Sequence, residues 1–451
     1  MRSSVRIVEQ AHPGPAAPAK TRGGRAAWRA VRSPGAAGLL WRGFLRCGGL
    51  FVALLLPVAA HSEARAVFQE SGPDAAAYGS AEGFAAGYPQ TQRTLIGNFS
   101  RYETVSRTRA VPRGAETWQF ARAPAEIDLR YTHQGQARTI PDYLSRHPAT
   151  GLLLIKDSVI LAEHYQYGRT DTDRFMSQSM AKTVVAMLVG IAVADGHIRS
   201  IDDPAQTYVP ALAGSEIGAT PIRALLHMAS GIAYREVYDG HDDAAKLNTA
   251  IWSRTGVGAE AVVRQFDVRE AAPDTKWHYK GLDTETLGLV LMAATGQSLS
   301  GYFSTRIWSR IGTERDALWA IDAHGLEPAF CCLNITLRDY GRLGRLLAHD
   351  GAWNGLQVIP QDWVIEATTP GAPFLRPGAG AGYYGYGYQV WLVPGARRQF
   401  VLMGIHGQML FVDPASKIVM VHTAVRARPT GDPMAAELGS LWRALVAQEG
   451  Q

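Results

Sequence analysis

The order of apolar and polar positions changes character several times along the chain. Residues 65 to about 140, rich in Ala, Gly and Ser with scattered charge, show no sustained period. They predict an irregular extension wrapped on the main body, and function is not expected there. From residue 151, GLLLIKDSVILAEHYQYG sets two apolar runs around Lys156, Asp157 and Ser158, which predicts a hairpin. The polar TDTDRFMSQS that follows reads as a loop. Residues 179–194 are then apolar nearly all round and stop at Asp195-Gly196, the pattern of a buried helix ended by glycine. Between about 200 and 370, segments such as TPIRALLHMASG, DTETLGLVLMAATG, NITLRDYGRLGRLLAHDG and IPQDWVIEATT look helical and are separated by Gly, Pro and Asp. After PGAGAGYYGYG come the strand-like runs YQVWLVP, QFVLMGI, MLFVD and KIVMVHTAV, then a last helix over about 433–448. Strands at both ends with helices between predict one sheet closed by the chain ends, drawn from 150–178 and 385–448, with a helical insert over about 196–370. The GxGxG of PGAGAG has no strand before it and no helix after it, so it reads as a mobile loop rather than a nucleotide site.

Composition changes this picture only at the N-terminus. The 451 residues carry 45 Lys or Arg against 40 Asp or Glu, but nine of those bases precede residue 49. They are followed by GLFVALLLPVAA and the small-residue stretch VAAHSEARA. Residues 1–64 therefore resemble a secretory leader, too short in its apolar run to span a bilayer. An uncleaved anchor is one alternative; a start codon set too far upstream of an ordinary signal is preferred. Taking the leader away leaves 36 bases and 38 acids, a balance of −2. The basic balance thus belongs to the leader and gives no reason to expect a nucleic-acid partner. A periplasmic or secreted protein, with no stable membrane span once the leader is removed, is expected. Cys47 would leave with the leader, and it stands on the wrong side of the apolar run for lipid attachment. Adjacent Cys331 and Cys332 do not meet ordinary disulfide separation, so both are expected to be core thiols. No CxxC pair or His cluster suggests a metal.

One polar pair breaks the apolar run. In SQSMAKTVVAMLVG, Ser179 and Lys182 stand three positions apart and share a helix face. A serine at the helix start has first-turn N–H groups beside it that favour negative charge, so it can attack a carbonyl while its own N–H holds the oxyanion. A lysine there accepts the hydroxyl proton only if burial lowers its pKa. The alternative is an N-cap serine with a first-turn lysine snorkelling to solvent.

Further stretches narrow the choice. RFMSQSMAKT, IDDPAQTYVPAL, LLHMASGIAY, WHYKGLDTETLG, TLRDYGRLGRLLAHDGAWNGLQVIPQDW, YGYGYQVWL and GIHGQMLFVDP together resemble the serine β-lactamase and penicillin-binding-protein superfamily over about residues 145–448. The closest likeness is to class C-type β-lactamase-related hydrolases, the group of 6-aminohexanoate-dimer hydrolases and related esterases. The resemblance implies a β-lactamase/transpeptidase-like α/β (α+β) domain over 141–451, an antiparallel sheet flanked by helices with an inserted all-helical domain. It makes Ser179 the nucleophile, Lys182 its base, and Tyr279 the phenol that relays a proton to the leaving group. In the tyrosine motif the third place, usually an amide or hydroxyl, is Gly281. The resemblance also aligns Ile405-His406-Gly407 with the strand triplet that lines the pocket, makes the Gln408 N–H the second oxyanion donor, and offers His406 as a partial replacement for polarity lost at Ile405.

Tyr234 could cover the pocket, or be a surface aromatic on its loop. His227 is expected to be structural, and Asp283 to cap the helix DTETLGLVL. No cofactor is implied. The expected activity is hydrolysis of a small-molecule amide or ester through an acyl-enzyme, with D-amino peptides next and β-lactams last because of Ile405 and Gly281. A non-catalytic member binding peptidoglycan or a partner protein is the alternative class; GxSxG, HExxH and P-loop motifs are absent. The sequence is silent on oligomeric state.

Overall fold

The predicted hairpin is the centre of the architecture. Ala149–Lys156 and Val159–Tyr165 pair antiparallel around a turn at Asp157, whose φ is 52°. Both strands are buried on both faces, which is why they read as continuous apolar runs. Leu153 and Ile155 face a large helical core, whereas Leu152 and Leu154 face a smaller core under the C-terminal helix. In this computed structural model, residues 63–78, 91–253 and 256–450 are described. The signal-like segment and Cys47 lie outside them.

The main sheet runs Val67–Phe68, Val159–Tyr165, Ala149–Lys156, Ile418–Ala424, Gln408–Asp413, Phe400–Gly404, Trp391–Leu392, Gly385–Tyr386. All these neighbours are antiparallel except the first pair, and Ala121–Arg122 also joins Val159–Tyr165 in parallel. The extension over 65–140, expected to be irregular, therefore supplies edge strands. The run YQVWLVP contributes only Trp391–Leu392.

The segment expected to be an all-helical insert carries strands as well. Ala317–Ala320 and Leu333–Thr336 pair with each other, with Thr108–Val111 of the extension, and with Arg174–Met176. The residues NIT, expected in a helix, are strand. Thr336 ends that strand by accepting from the Asp339 N–H, and the helix begins at Leu337. Among the described residues no helix is long and apolar enough to cross a membrane.

The last helix, Ala435–Glu449, is close to the expected span. Leu438, Leu441, Trp442 and Leu445 form the apolar stripe it lays on the sheet. Beside them the buried Glu437 accepts from Arg138 and Arg146 at 2.6 Å each, from the Tyr131 hydroxyl at 2.7 Å, and pairs with His147 at 2.8 Å. Burial alone would raise its pKa, but these donors prevail and hold the carboxyl far below its ordinary value. Its contribution is therefore present above about 4.5, the ordinary value, and lost as pH falls below it. Glu437→Ala should lower stability by about 3–5 kcal/mol in urea titration, since it strands buried donors. In Glu437→Gln the loss of stability between pH 5 and pH 3 should be shallower than in wild type. An unchanged urea midpoint in Glu437→Ala would show that the cluster does not anchor this helix.

Candidate active site

The turn that carries Ser179 is fixed by the strand that precedes it. After Arg174–Met176, the Ser177 N–H donates to the Leu333 carbonyl at 2.7 Å and the Leu333 N–H donates back to Ser177 Oγ at 3.1 Å. Gln178 then takes a φ of 45°, a left-handed conformation unusual for a residue with a side chain. Ser179 lies in the single 3₁₀ turn Gln178–Met180, from which the helix Ala181–Ala194 continues. The end of strand Phe400–Gly404 abuts this turn. A Cβ on Gly404 would lie 2.5 Å from the Ser177 carbonyl oxygen and 2.8 Å from Gln178 Cβ, so only glycine allows the approach.

Lys182 is 2% exposed, and its Nζ lies 3.2 Å from Ser179 Oγ and 2.9 Å from the Phe330 carbonyl. Snorkelling is thereby ruled out. The N-cap positions of this turn and of the helix after it are held by Ser177 and Met180, so the N-cap alternative for Ser179 falls as well. Lys182 forms no ion pair among the described residues. Burial lowers its pKa to about 8, with the charges of Glu236 and then Glu285 pulling the other way. Glu285, on the neighbouring helix Gly281–Thr295, is itself pushed up to about 8 by burial while accepting the Ala329 N–H at 2.8 Å. At neutral pH it is therefore largely a neutral acid.

Tyr279, just ahead of the helix Gly281–Thr295, completes the group from behind the cleft wall. Its ring is 5.3 Å from Lys182 Nζ, and its phenol lies close enough to Ser179 to be influenced by it. Burial drives the phenol far above its ordinary pKa, followed by the charge of Glu236, so it remains a proton donor. The ring stacks on Trp391 at 5.5 Å and meets Trp277 and Tyr386 at 6.4 Å each. This aromatic box fixes where the hydroxyl points. The next residue, Lys280, is turned away, its Nζ donating to Ser230 Oγ at 3.2 Å. Asp283 does not cap the helix as expected. The helix begins two residues earlier, at Gly281, and Asp283 accepts the Ser230 N–H instead, with burial raising its pKa to about 6.

Ser179 and Lys182 open onto a cleft of about 840 Å³. Tyr234 lines it, 4% exposed and with its hydroxyl unpartnered, so the surface-aromatic alternative fails. His406 lines it too. The Nδ1–H of His406 donates to the Arg426 carbonyl at 2.6 Å, which leaves Nε2 as an acceptor, and burial lowers the ring's pKa. Gly407 and Gln408 do not reach the cleft. A Cβ on Gly407 would face Arg426 at 3.0 Å, and the Gln408 side chain is spent on the Ala424 carbonyl at 2.6 Å. Ile405 of this hairpin lines the cleft beside His406. His227 pairs with Asp274 at 2.6 Å, away from the lining, as its structural reading predicts.

Two parts of the site were not visible in the sequence. Phe99, Tyr102 and Arg107 of the extension form one wall, with the Phe99 ring edge-on to His406 at 5.4 Å. No periodicity marks these residues, because they are placed by pairing of Thr108–Val111 with a strand some 200 positions later. Glu236, two residues beyond Tyr234, also lines the cleft and carries no motif. The cysteine expectation is corrected: Cys331 and Cys332 are disulfide-bonded to each other and line the same cleft, directly after the Phe330 carbonyl that holds Lys182. Cys332 has a φ of 71°, an unusual backbone conformation for a residue with a side chain.

Comparison with known proteins places this geometry in context. The β-lactamase family profile matches residues 136–439. The 6-aminohexanoate-dimer hydrolase of Paenarthrobacter ureafaciens is 28% identical over 355 residues, covering 75% of this chain and 88% of that protein. A Bacillus anthracis structure provisionally assigned as a 6-aminohexanoate-dimer hydrolase superposes with a TM-score of 0.69 at 22% identity, covering 78% of this chain and 92% of its own. A family VIII carboxylesterase gives 0.51 at 17% identity, covering 66% and 93%.

The disulfide has a direct chemical readout. Denatured protein lacking residues 1–62 should show no thiol toward a thiol reagent before reduction and two after it. Two reactive thiols without reductant would overturn the pairing.

Proposed function

Because the chain belongs to the β-lactamase family, whose members include serine hydrolases, we propose that it hydrolyses small-molecule amides or esters through an acyl-enzyme on Ser179. The observation that carries this reading is the buried Lys182 amine, without an ion pair among the described residues, 3.2 Å from the Ser179 hydroxyl. As Ser179 Oγ attacks the carbonyl, its proton passes to Lys182 Nζ and the carbonyl electrons move onto oxygen. The N–H groups of Ser179 and Ile405 are the proposed oxyanion donors, Ile405 replacing Gln408 because Ile405 lines the cleft and Gln408 does not, while the neighbouring His406 N–H is spent on the Pro429 carbonyl. The tetrahedral species collapses as the C–N or C–O bond breaks, and the departing amine or alkoxide takes the Tyr279 proton. Lys182 returns its proton to Tyr279. Water then attacks the ester of Ser179, giving up one proton through the same groups and releasing the acid and the free hydroxyl.

Linear amides and carboxylic esters rank first as substrates, D-amino peptides next. The relatives named for 6-aminohexanoate-dimer and ester hydrolysis support that order. β-Lactams rank last, since Ile405 offers no cation and a carboxylate, Glu236, fills the space beside Gly281. We also propose a periplasmic or secreted site of action, on the strength of the leader's composition and of the Cys331–Cys332 bond, which suits an oxidising compartment.

The test is a panel of simple esters, linear amides, D-peptides and a chromogenic cephalosporin. Esters or linear amides should be turned over and the cephalosporin poorly. Ser179→Ala should reduce turnover by at least about 1,000-fold and abolish fluorophosphonate labelling. Tyr279→Phe should lower kcat by about 100-fold or more. Since Lys182 acts as the free amine and burial sets its pKa at about 8, kcat/KM should rise with pH and level off above that value. Equal labelling of wild type and Ser179→Ala rejects the assignment, and efficient turnover of the cephalosporin alone overturns the ranking.

A further inference from the structure

The tyrosine motif lacks a side chain at its third place, yet that space is not empty. A Cβ built on Gly281 would lie 3.5 Å from Glu236 Oε2 and 3.5 Å from the Phe330 ring. Phe330 is the residue whose carbonyl fixes Lys182. Glu236 reaches this position from the loop after Tyr234, and both its oxygens are engaged. Oε2 accepts the Gly281 N–H at 2.6 Å, and Oε1 accepts the Tyr238 hydroxyl at 2.6 Å.

We propose that Glu236 is a positioning residue of the catalytic centre: from a separate loop it fills the space left vacant at Gly281, ties the Tyr279–Gly281 turn in place, and sets a negative charge beside Lys182. The proposal deepens the hydrolase reading and rests on it. The physical case has two parts. Gly281 is the first residue of its helix, so its N–H has no partner within that helix, and the positive helix end favours a carboxylate there. Lys280, at the N-cap, supplies no side-chain bond of its own. Glu236 therefore anchors the backbone two residues from the phenol. Its charge also acts on the proton carriers, because it is the leading charged influence on both Lys182 and Tyr279.

The other groups around these atoms limit what else could produce the effect. Lys182 faces Ser179, Tyr279, the Phe330 carbonyl and the largely neutral Glu285. Glu236 acts in turn on Tyr234, Tyr238, Asp283 and Tyr386. Lys280 is turned toward Ser230.

The experiment follows the rate of Ser179 phosphonylation by a fluorophosphonate from pH 6 to 10, which needs no knowledge of the substrate. Glu236→Gln keeps an acceptor for the Gly281 N–H and deletes the charge. Its rising limb should move to lower pH by about one unit, with the plateau rate within about threefold of wild type. Glu236→Ala loses the tie as well, so its plateau should fall by about tenfold or more, a loss that Gln restores. A merely structural glutamate would leave the limb of the Gln variant unmoved. If wild type labels at Ser179 and the limb of Glu236→Gln coincides with it, the role of Glu236 is overturned while the hydrolase reading stands. Should Glu236→Ala fail to fold, the limb of the Gln variant still decides. Labelling that persists in Ser179→Ala overturns both.

Discussion

The site depends on an amine kept out of water without a counter-ion. Lys182 is enclosed, donates to one carbonyl and one hydroxyl, and forms no ion pair among the described residues. Desolvation penalises its charged form, and a neutral amine beside a hydroxyl is a base. A close carboxylate would have undone this by favouring the ammonium. The nearby acids stop short of an ion pair: Glu285 is itself pushed up to about 8 by burial, and Glu236 turns its oxygens to the Gly281 N–H and the Tyr238 hydroxyl, so its charge raises the Lys182 pKa without pairing with the amine.

The remaining architecture serves to hold that amine, a hydroxyl and a phenol together. The sheet end at Gly404 presses on the nucleophile turn, and the Ser177–Leu333 exchange holds its other side. The phenol comes from the start of a different helix and is oriented by Trp277, Tyr386 and Trp391. Trp391 and Tyr386 sit on the sheet's far edge, so chain segments more than 100 residues apart meet at one hydroxyl. Such preorganisation allows the proton to move without large rearrangement.

Much of this was legible in the sequence because it is local. The hairpin, the buried helix and the Ser179–Lys182 pair are expressed in neighbouring residues, and period and spacing report them directly. What escaped depends on distant pairing or on atoms without a sequence signature. The wall formed by Phe99 and Tyr102 is set by strand pairing across some 200 residues, and the Phe330 carbonyl belongs to a backbone that any residue carries. The sequence set the second oxyanion donor at Gln408 because a motif aligned by letters does not say where the strand turns. The hairpin in fact reverses over Ile405–Gly407, which carries Gln408 away from the cleft. The cysteines were misjudged because a bond between neighbours needs unusual backbone geometry, here a φ of 71° at Cys332, which sequence does not reveal for a residue with a side chain.

The most direct measurement of the central claim is a ¹³C NMR titration of the protein labelled at lysine Cε, with Lys182→Met used to identify the resonance. A signal missing in the variant and titrating near pH 8 in wild type is the predicted result. The same signal titrating near 10.5, the ordinary lysine value, would mean that burial does not lower the pKa and that the free amine is too scarce near neutral pH to serve as the proposed base.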